Sequence, residues 1–268
     1  MQYDPVKKIL GNFFNKSPFL RKFFYHLLDL LLLRAWHVHK ELRQWQKKNK
    51  GPASILDAGS GFGQYTYWLA KKNAHWKILA LDVKHEQIEE CNQFFAKAGL
   101  TNAEFAYGDL TQLNLPPRFH LALTVDVMEH IEEDVLVFQN INRALLPGAM
   151  LLISTPSDQG GSDAEHAEDA SFIEEHVRNG YNIHEIQQKL VAAGFTKVEA
   201  KYSYGWPGKI SWRLSMKYPL LLLQLSKIFF IILPVYYIIT FPFALLFNYL
   251  DVNLSHPTGT GLIVKAYK

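Results

Sequence analysis

Residues Ile55 to Gly63 read Ile-Leu-Asp-Ala-Gly-Ser-Gly-Phe-Gly, an apolar run that passes straight into Asp-x-Gly-x-Gly-x-Gly and then into an amphipathic stretch. Glycines at alternate positions let a backbone turn tightly and approach a ligand closely. The helix that follows offers unpaired N–H groups at its start. A chain with this run is built as strand, tight loop and helix, and the rest of residues 53–154 keeps that alternation. Ser54–Ala58, Lys77–Val83, Ala103–Tyr107, Leu121–Val125 and Met150–Ser154 read as strands, with helices near 63–72, 85–98 and 133–146 between them. A further helix, Ile183–Ala193, stops at Gly194, and Phe195–Tyr204 and Leu262–Tyr267 are two more strand candidates. Such alternation implies an α/β fold, a parallel sheet with helices on both faces.

The same residues narrow the ligand. Nineteen residues after Gly63, the second strand ends at Asp82, where nucleotide-binding folds meet ribose hydroxyls. The glycines are spaced G-x-G-x-G, without the G-x-G-x-x-G that cradles a pyrophosphate. Asp57, ahead of them, repels phosphate and favours a cation such as an ammonium or a sulfonium. A nucleoside with a positive sulfur and an amino-acid tail, S-adenosylmethionine, satisfies all three conditions.

In order along about 150 residues, LDAGSGFG, LALDV, YGDL, LTVDVMEH and LLPGAMLLIST resemble the successive motifs of the class I S-adenosylmethionine-dependent methyltransferases. The resemblance implies a Rossmann-like seven-stranded sheet whose last strand is antiparallel. It implies that Gly59, Gly61 and Gly63 pass beneath the methionine and ribose, and that Asp57 holds the loop and approaches the amino group. Asp82 would bond both ribose hydroxyls with Val83 against the adenine. Asp109 would accept from the adenine amino group with Leu110 beside it, and Asp126 would face the methyl-transfer centre.

Methyl transfer needs alignment of donor and acceptor, and a base where the acceptor carries a proton. His130, His166 and His176 are the candidate bases, and His130, with Asp126 and Glu129 beside it, is the one placed as base or acceptor-positioning group. The run Asp126-x-x-Glu129-His130 resembles the E-x-x-E-H of ubiquinone-biosynthesis O-methyltransferases, which goes with a divalent metal, although Asp stands here for the first Glu. The same Glu-His simply starts a helix in metal-free members of the superfamily, so no metal is expected, with Asp126, Glu129 and His130 as the set that would hold one. His166, Glu168, His176 and Arg178 lie in the region that lines the acceptor pocket in this superfamily. A solvated polar loop is the other reading of that stretch. Trp36 and Trp45 read as packing residues.

Charge is divided along the chain. Residues 1–50 balance to +8, 51–200 to −11 and 201–268 to +6, for a net +3. An acidic body disfavours a nucleic-acid partner, and basic flanks suit an anionic surface. The N-terminal region starts at Ser17-Pro18 as one helical stripe of Leu20, Phe24, Leu27, Leu31, Ala35, Val38, Leu42 and Trp45. Arg21, Lys22, Arg34, Lys40 and Arg43 give it cationic character. The one cysteine, Cys91, excludes a disulfide scaffold and a cysteine zinc site, and no signal-peptide pattern is seen.

Ile228–Phe247 is 20 residues without a charge, about 30 Å as a helix and interrupted by Pro234 and Pro242. A last strand that rejoins the sheet forbids a single crossing. The expectation is a monotopic hairpin broken near Pro234, with arms Tyr218–Leu233 and Val235–Leu250, and with Lys209, Arg213, Lys217 and Lys227 toward anionic headgroups. The alternative is a buried core helix. Tyr202, Tyr204 and Trp206 would line a passage from the lipid or sit at the interface. The organisation that follows is a basic helical region over 1–50, a cofactor-binding core over 51–205, an apolar membrane-associating insert over 206–260, and the final strand over 261–268.

Function then reads as a methyltransferase at the cytoplasmic face of a membrane, acting on a lipophilic small molecule: a quinone precursor, an aryl or polyene pigment, or a lipid. A soluble acceptor, with the insert as lid or dimer interface, and a non-catalytic scaffold are the alternatives. A homodimer stays open.

Overall fold

The computed structural model describes residues 17–160, 177–226 and 228–268. Seven strands form one sheet: β1 (Ser54–Ala58), β2 (Lys77–Asp82), β3 (Ala103–Tyr107), β4 (Phe119–Val125), β5 (Leu145–Pro156), β6 (Lys197–Ser203) and β7 (Gly261–Tyr267). Their order is β3-β2-β1-β4-β5-β7-β6. Pairings through β1 to β5 are parallel, and β7 runs antiparallel to both β5 and β6. The expected fold class is thus present.

Helices α1 (Pro18–Leu31), α2 (Leu33–Lys48), α3 (Gln64–Lys72), α4 (His85–Lys97), α5 (Asp134–Ala144) and α6 (Ile183–Ala192) flank the sheet. On one face Tyr25, Val38, Leu42, Leu69, Phe94 and Phe95 from α1 to α4 pack on Ile55, Leu121 and Leu152. On the other, Val137, Phe138, Ile141, Ile186 and Leu190 from α5 and α6 pack on Leu56, Leu151 and Val264. Both faces of the sheet are therefore covered, as parallel strands with continuous apolar runs require.

The N-terminal region differs from one continuous helix. The backbone turns extended at Leu32 (φ −86°, ψ 112°), which caps α1 and starts α2. The break lets two helices serve two places. α1 lies over the glycine loop, and α2 buries Ala35, Val38, Leu42 and Trp45 against the body, with Trp45 edge-on to Trp76 at 5.3 Å.

The apolar insert is a helical hairpin. One arm is α7 (Trp206–Trp212), a π-helical turn at Arg213–Lys217, and α8 (Tyr218–Leu225); the other is α9 (Phe229–Asn253). The arms run antiparallel: the Ser211 hydroxyl bonds Ala244 O (3.0 Å) and Asn248 Oδ1 (2.6 Å), and the Tyr236 hydroxyl donates to Leu214 O (2.7 Å). The expected break at Pro234 is corrected. Pro234 and Pro242 lie inside α9, and the chain turns at Ser226, the polar step that precedes the uncharged run. There an extended Ser226 accepts from Ile228 N at 3.3 Å.

The hairpin is not a core element. Its Ile231–Asn253 portion is long and apolar enough to cross a bilayer, yet only 11% of its most apolar stretch is buried. Ile228 at the N-cap of α9 and Ile231, Ile232, Val235, Ile238, Ile239, Phe243 and Leu246 within it form an exposed stripe at spacings of one, three and four residues. Leu220, Leu221 and Leu225 of α8 are exposed as well.

Candidate active site

β1 delivers the loop Gly59–Gly63, and all three of its glycines have left-handed φ, +87°, +50° and +76°. Two are enforced by packing. A Cβ at Gly59 would lie 2.3 Å from Val127 Cγ2, and one at Gly63 would lie 2.8 Å from the Phe105 ring. Gly61 differs: nothing lies within 4 Å of its Cβ position, so this side of the loop is a cradle open to a ligand. Ser60 Oγ is buried beside it with no hydrogen-bond partner. An orphaned buried hydroxyl and an open glycine suit a polar small molecule laid along the loop.

Four carboxylates follow along the carboxyl edge of the parallel strands, where open α/β sheets bind ligands. Asp57 is 2% exposed and accepts from Thr66 Oγ1 at 2.5 Å, which ties β1 to α3 beneath the loop. Burial pushes its carboxyl up to about 6, against the Thr66 hydrogen bond, and nearby Asp82 adds to the rise. Asp82 Oδ2 accepts the Gly61 N–H at 2.8 Å, and Oδ1 accepts the Lys84 N–H at 3.0 Å. Each oxygen keeps a second lone pair for a ligand hydroxyl. Asp109 caps a short 3₁₀ turn: Oδ1 accepts from Thr111 N and Oγ1, and Oδ2 from Gln112 Nε2. Leu110 is buried beside it and Val83 is exposed. His85 and Tyr107, at the ends of the neighbouring elements, stack 4.7 Å apart and 8° from parallel.

Asp126 closes the row at the end of β4. Its φ of +51° is a sparsely populated conformation for aspartate, and its N–H donates to Ser154 O at 2.9 Å. Its carboxylate pairs with the Arg34 guanidinium, brought in by α2. Arg34 N–H in turn donates to the Tyr204 hydroxyl at 3.0 Å. Burial raises the Tyr204 phenol, with Arg34 opposing.

α1 roofs the glycine loop. Arg21 Nη2 donates to Phe62 O (3.1 Å) and approaches Cys91 Sγ (3.0 Å), and Nε donates to the Tyr25 hydroxyl (2.9 Å). Tyr25 OH donates to the same Phe62 carbonyl. Arg21 is therefore a buried clamp rather than part of an exposed cationic face.

The remaining candidates are dispersed. Glu129 is 1% exposed and accepts from Thr155 Oγ1 at 3.1 Å, and burial raises its carboxyl. His130 is exposed at the end of the 3₁₀ turn Met128–His130. With Asp126 on Arg34 and Glu129 on Thr155, the three do not converge, and no group of three metal-ligating side chains exists among the described residues. Arg178 is held by Asp134, Tyr181 OH (2.5 Å) and Ile131 O (2.7 Å), a brace onto the start of α5 rather than a group turned toward Asp126. His166, Glu168 and His176 lie outside the described residues. Sequence reasoning missed Arg34 and the His85–Tyr107 pair as site residues, and gave Tyr204 only as lining a passage or sitting at the interface. An arginine directly after Leu30–Leu33 was the available signal for the first.

Comparison with known proteins agrees with this geometry. A family profile described as a methyltransferase domain matches residues 49–201. Phosphoethanolamine N-methyltransferase 1 of Arabidopsis thaliana is 29% identical over 170 residues, 58% of this chain and 31% of that protein. Carboxy-S-adenosyl-L-methionine synthase of Pseudomonas savastanoi pv. phaseolicola is 27% identical over 177 residues, 55% of this chain and 71% of that protein. Phosphoethanolamine N-methyltransferase 2 of Haemonchus contortus, with phosphomonomethylethanolamine and S-adenosylhomocysteine bound, superposes with a TM-score of 0.60 at 17% identity, over 86% of this chain and 53% of that one. A sarcosine dimethylglycine methyltransferase fold from Galdieria sulphuraria gives 0.54 at 17% identity over 83% of each chain. The chain spans 31% of the length of the plant enzyme it matches, so the shared part is the domain and not the whole of that protein. With the profile covering more than half of its residues and the sheet order in agreement, the chain belongs to the methyltransferase domain family.

Proposed function

We propose that this protein is an S-adenosylmethionine-dependent methyltransferase that works at a membrane surface on a lipophilic acceptor. S-adenosylmethionine, when bound, supplies a methyl carbon that passes to an acceptor lone pair as the carbon–sulfur bond breaks and its electrons stay on sulfur. The loop Gly59–Gly63 carries its methionine and ribose across the open face of Gly61. Asp82 takes the ribose hydroxyls on the lone pairs left free by Gly61 and Lys84. Asp57 sets negative charge on the side of the ammonium, while the Asp126 charge is taken up by Arg34. Asp126 and Arg34 position the acceptor, and His130 receives its proton where it has one. The chain supplies alignment and proton removal, which is most of what an in-line displacement requires.

The membrane part of the reading is carried by one observation: the insert between β6 and β7 leaves an uncharged stripe of α9 outside the core, with Ile231 76% and Ile238 75% exposed. A contiguous apolar face of this kind marks a lipid or protein contact. Lys209 and Arg213 are exposed on the first arm, where anionic headgroups would meet them. The peripheral site would lie on the cytoplasmic face. The relatives' names favour a second reading, a soluble amine acceptor with the hairpin covered by another copy of the chain.

Co-sedimentation of the full chain with liposomes of graded anionic content separates the two. Salt-sensitive binding to anionic vesicles supports the membrane reading. A protein that stays in the supernatant as a dimer supports the second. His130→Ala is expected to lower turnover by about a hundredfold with donor affinity unchanged; full activity by radiometric assay would remove His130 from proton transfer.

A further inference from the structure

Two clefts share Arg34 and Tyr204. The outer cleft, about 180 Å³, lies along the strand edge and presents Asp126, Ser154, Thr155, Ser203 and Thr260. The inner cleft, about 140 Å³, lies where the α1–α2 break meets the base of the hairpin; Leu31, Leu32, Leu33, Trp212 and Met216 line it together with Ser211, Ser215 and Asn248, of which Ser211 and Asn248 are already bonded to each other at 2.6 Å. A ligand that fills both has a polar head and an apolar tail.

Arg34 stands at the junction. Its guanidinium pairs with Asp126, both side chains about a third exposed at 30% and 35%, so a solvent-accessible anion can exchange for the carboxylate. Its Nε is buried on the side of the Tyr65 hydroxyl, so the edge open to a ligand is the one that meets Asp126. The Arg34 backbone is fixed from behind, through its main-chain N–H. Tyr204, itself at φ +56°, accepts the Arg34 N–H, and the Tyr204 N–H is bonded to Asp251 Oδ1 at 3.0 Å. A guanidinium on a fixed stretch of backbone, with one exchangeable partner at its exposed edge, is a receptor for phosphate or carboxylate.

We propose that Arg34 determines acceptor specificity: it binds the anionic head of an amphiphilic acceptor whose tail occupies the apolar cleft under the hairpin. Asp126 holds the guanidinium in place until the head arrives. The inference rests on the membrane-surface reading for the role of the ligand as acceptor, and on the clefts alone for its chemistry.

Calorimetry on the full chain tests it, with dodecyl phosphate below its micelle concentration as the probe and with inorganic phosphate and dodecyl maltoside as controls. Dodecyl phosphate is expected to saturate, and both controls to bind at least about tenfold more weakly, since each lacks half of the match. Inorganic phosphate as tight as dodecyl phosphate would assign the site to a free anion and overturn the amphiphile. Arg34→Gln is expected to weaken dodecyl phosphate by about tenfold or more. Asp126→Asn is expected to strengthen it, because the competing carboxylate is gone. Loss of affinity in both variants would make the pair a structural brace and overturn the proposal, as would wild-type affinity in Arg34→Gln. Should Arg34→Gln fail to fold, the sign of the Asp126→Asn change decides the question. Liposome association of Arg34→Gln is expected to match wild type, since α9 is untouched. A wild-type chain that binds dodecyl phosphate but not liposomes would take down the membrane reading and support this one.

Discussion

Asp57 is a carboxylate buried beneath a ligand loop, with the hydroxyl and backbone N–H of Thr66 to satisfy it. Its carboxyl is raised to about 6, so its contribution to stability is full below the ordinary aspartate value and is lost as pH rises through 6. At pH 7 the ionised group costs on the order of 3 kcal/mol. Asp57→Asn, which keeps an acceptor for Thr66, is expected to gain on the wild type as pH rises from 4 to 7, as read from urea midpoints. A pH-independent difference would mean that the carboxyl is not raised. The same substitution is expected to weaken S-adenosylmethionine, which points to a functional reason for keeping the charge. Asp82→Ala strands the Gly61 and Lys84 N–H groups and removes the ribose acceptor; by calorimetry donor affinity is expected to fall by about tenfold or more. These residues were legible in the sequence because loop, strand end and acid lie within 26 residues and their spacing is set by local backbone geometry. The pairing of Arg34 with Tyr204 was not. The two meet from positions 170 residues apart, and only the fold makes them neighbours of Asp126.

Among the elements, the hairpin depends on one buried group. Asp251 near the end of α9 is fully buried, and it accepts from Tyr204 N (3.0 Å), Gly208 N (2.9 Å) and His37 Nε2 (2.8 Å). It thereby joins the hairpin to α2 and to the end of β6. Burial pushes its carboxyl up, but His37, His256 and the Gly208 N–H outweigh that and hold it below the usual range. Asp251→Ala leaves three buried donors without an acceptor and is expected to destabilise the fold by about 3–5 kcal/mol, measured by denaturant unfolding. A loss under 1 kcal/mol would mean that the hairpin is held elsewhere. The periodicity of α3 to α6 placed those helices to within two residues. It failed at Leu32, where no proline or glycine marks the break, because the change of direction serves two separate packing surfaces. It failed again at Pro234, which α9 accommodates in its interior, while the turn falls at the polar, extended Ser226.

At the scale of the whole molecule, a covered α/β body carries an uncovered apolar hairpin at the edge where its carboxylates open. The alternating strands and helices, and the order of motifs along them, made that body readable from sequence. What covers the hairpin was not readable, since an uncharged run looks the same whether it packs on lipid or on protein. Ile231→Asp with Ile238→Asp alters only exposed positions of α9. The pair is expected to leave the unfolding midpoint within the error of measurement and to abolish liposome co-sedimentation; retained binding would move the anchor to α1, where Phe19 and Phe23 are exposed. The central claim, methyl transfer to a membrane-borne acceptor, is tested most directly by incubating the full chain with methyl-tritiated S-adenosylmethionine and vesicles of total lipid extract, then partitioning the products. The expected result is label in the organic phase that disappears with Asp82→Ala. Label confined to the aqueous phase, with none in lipid, would contradict the claim.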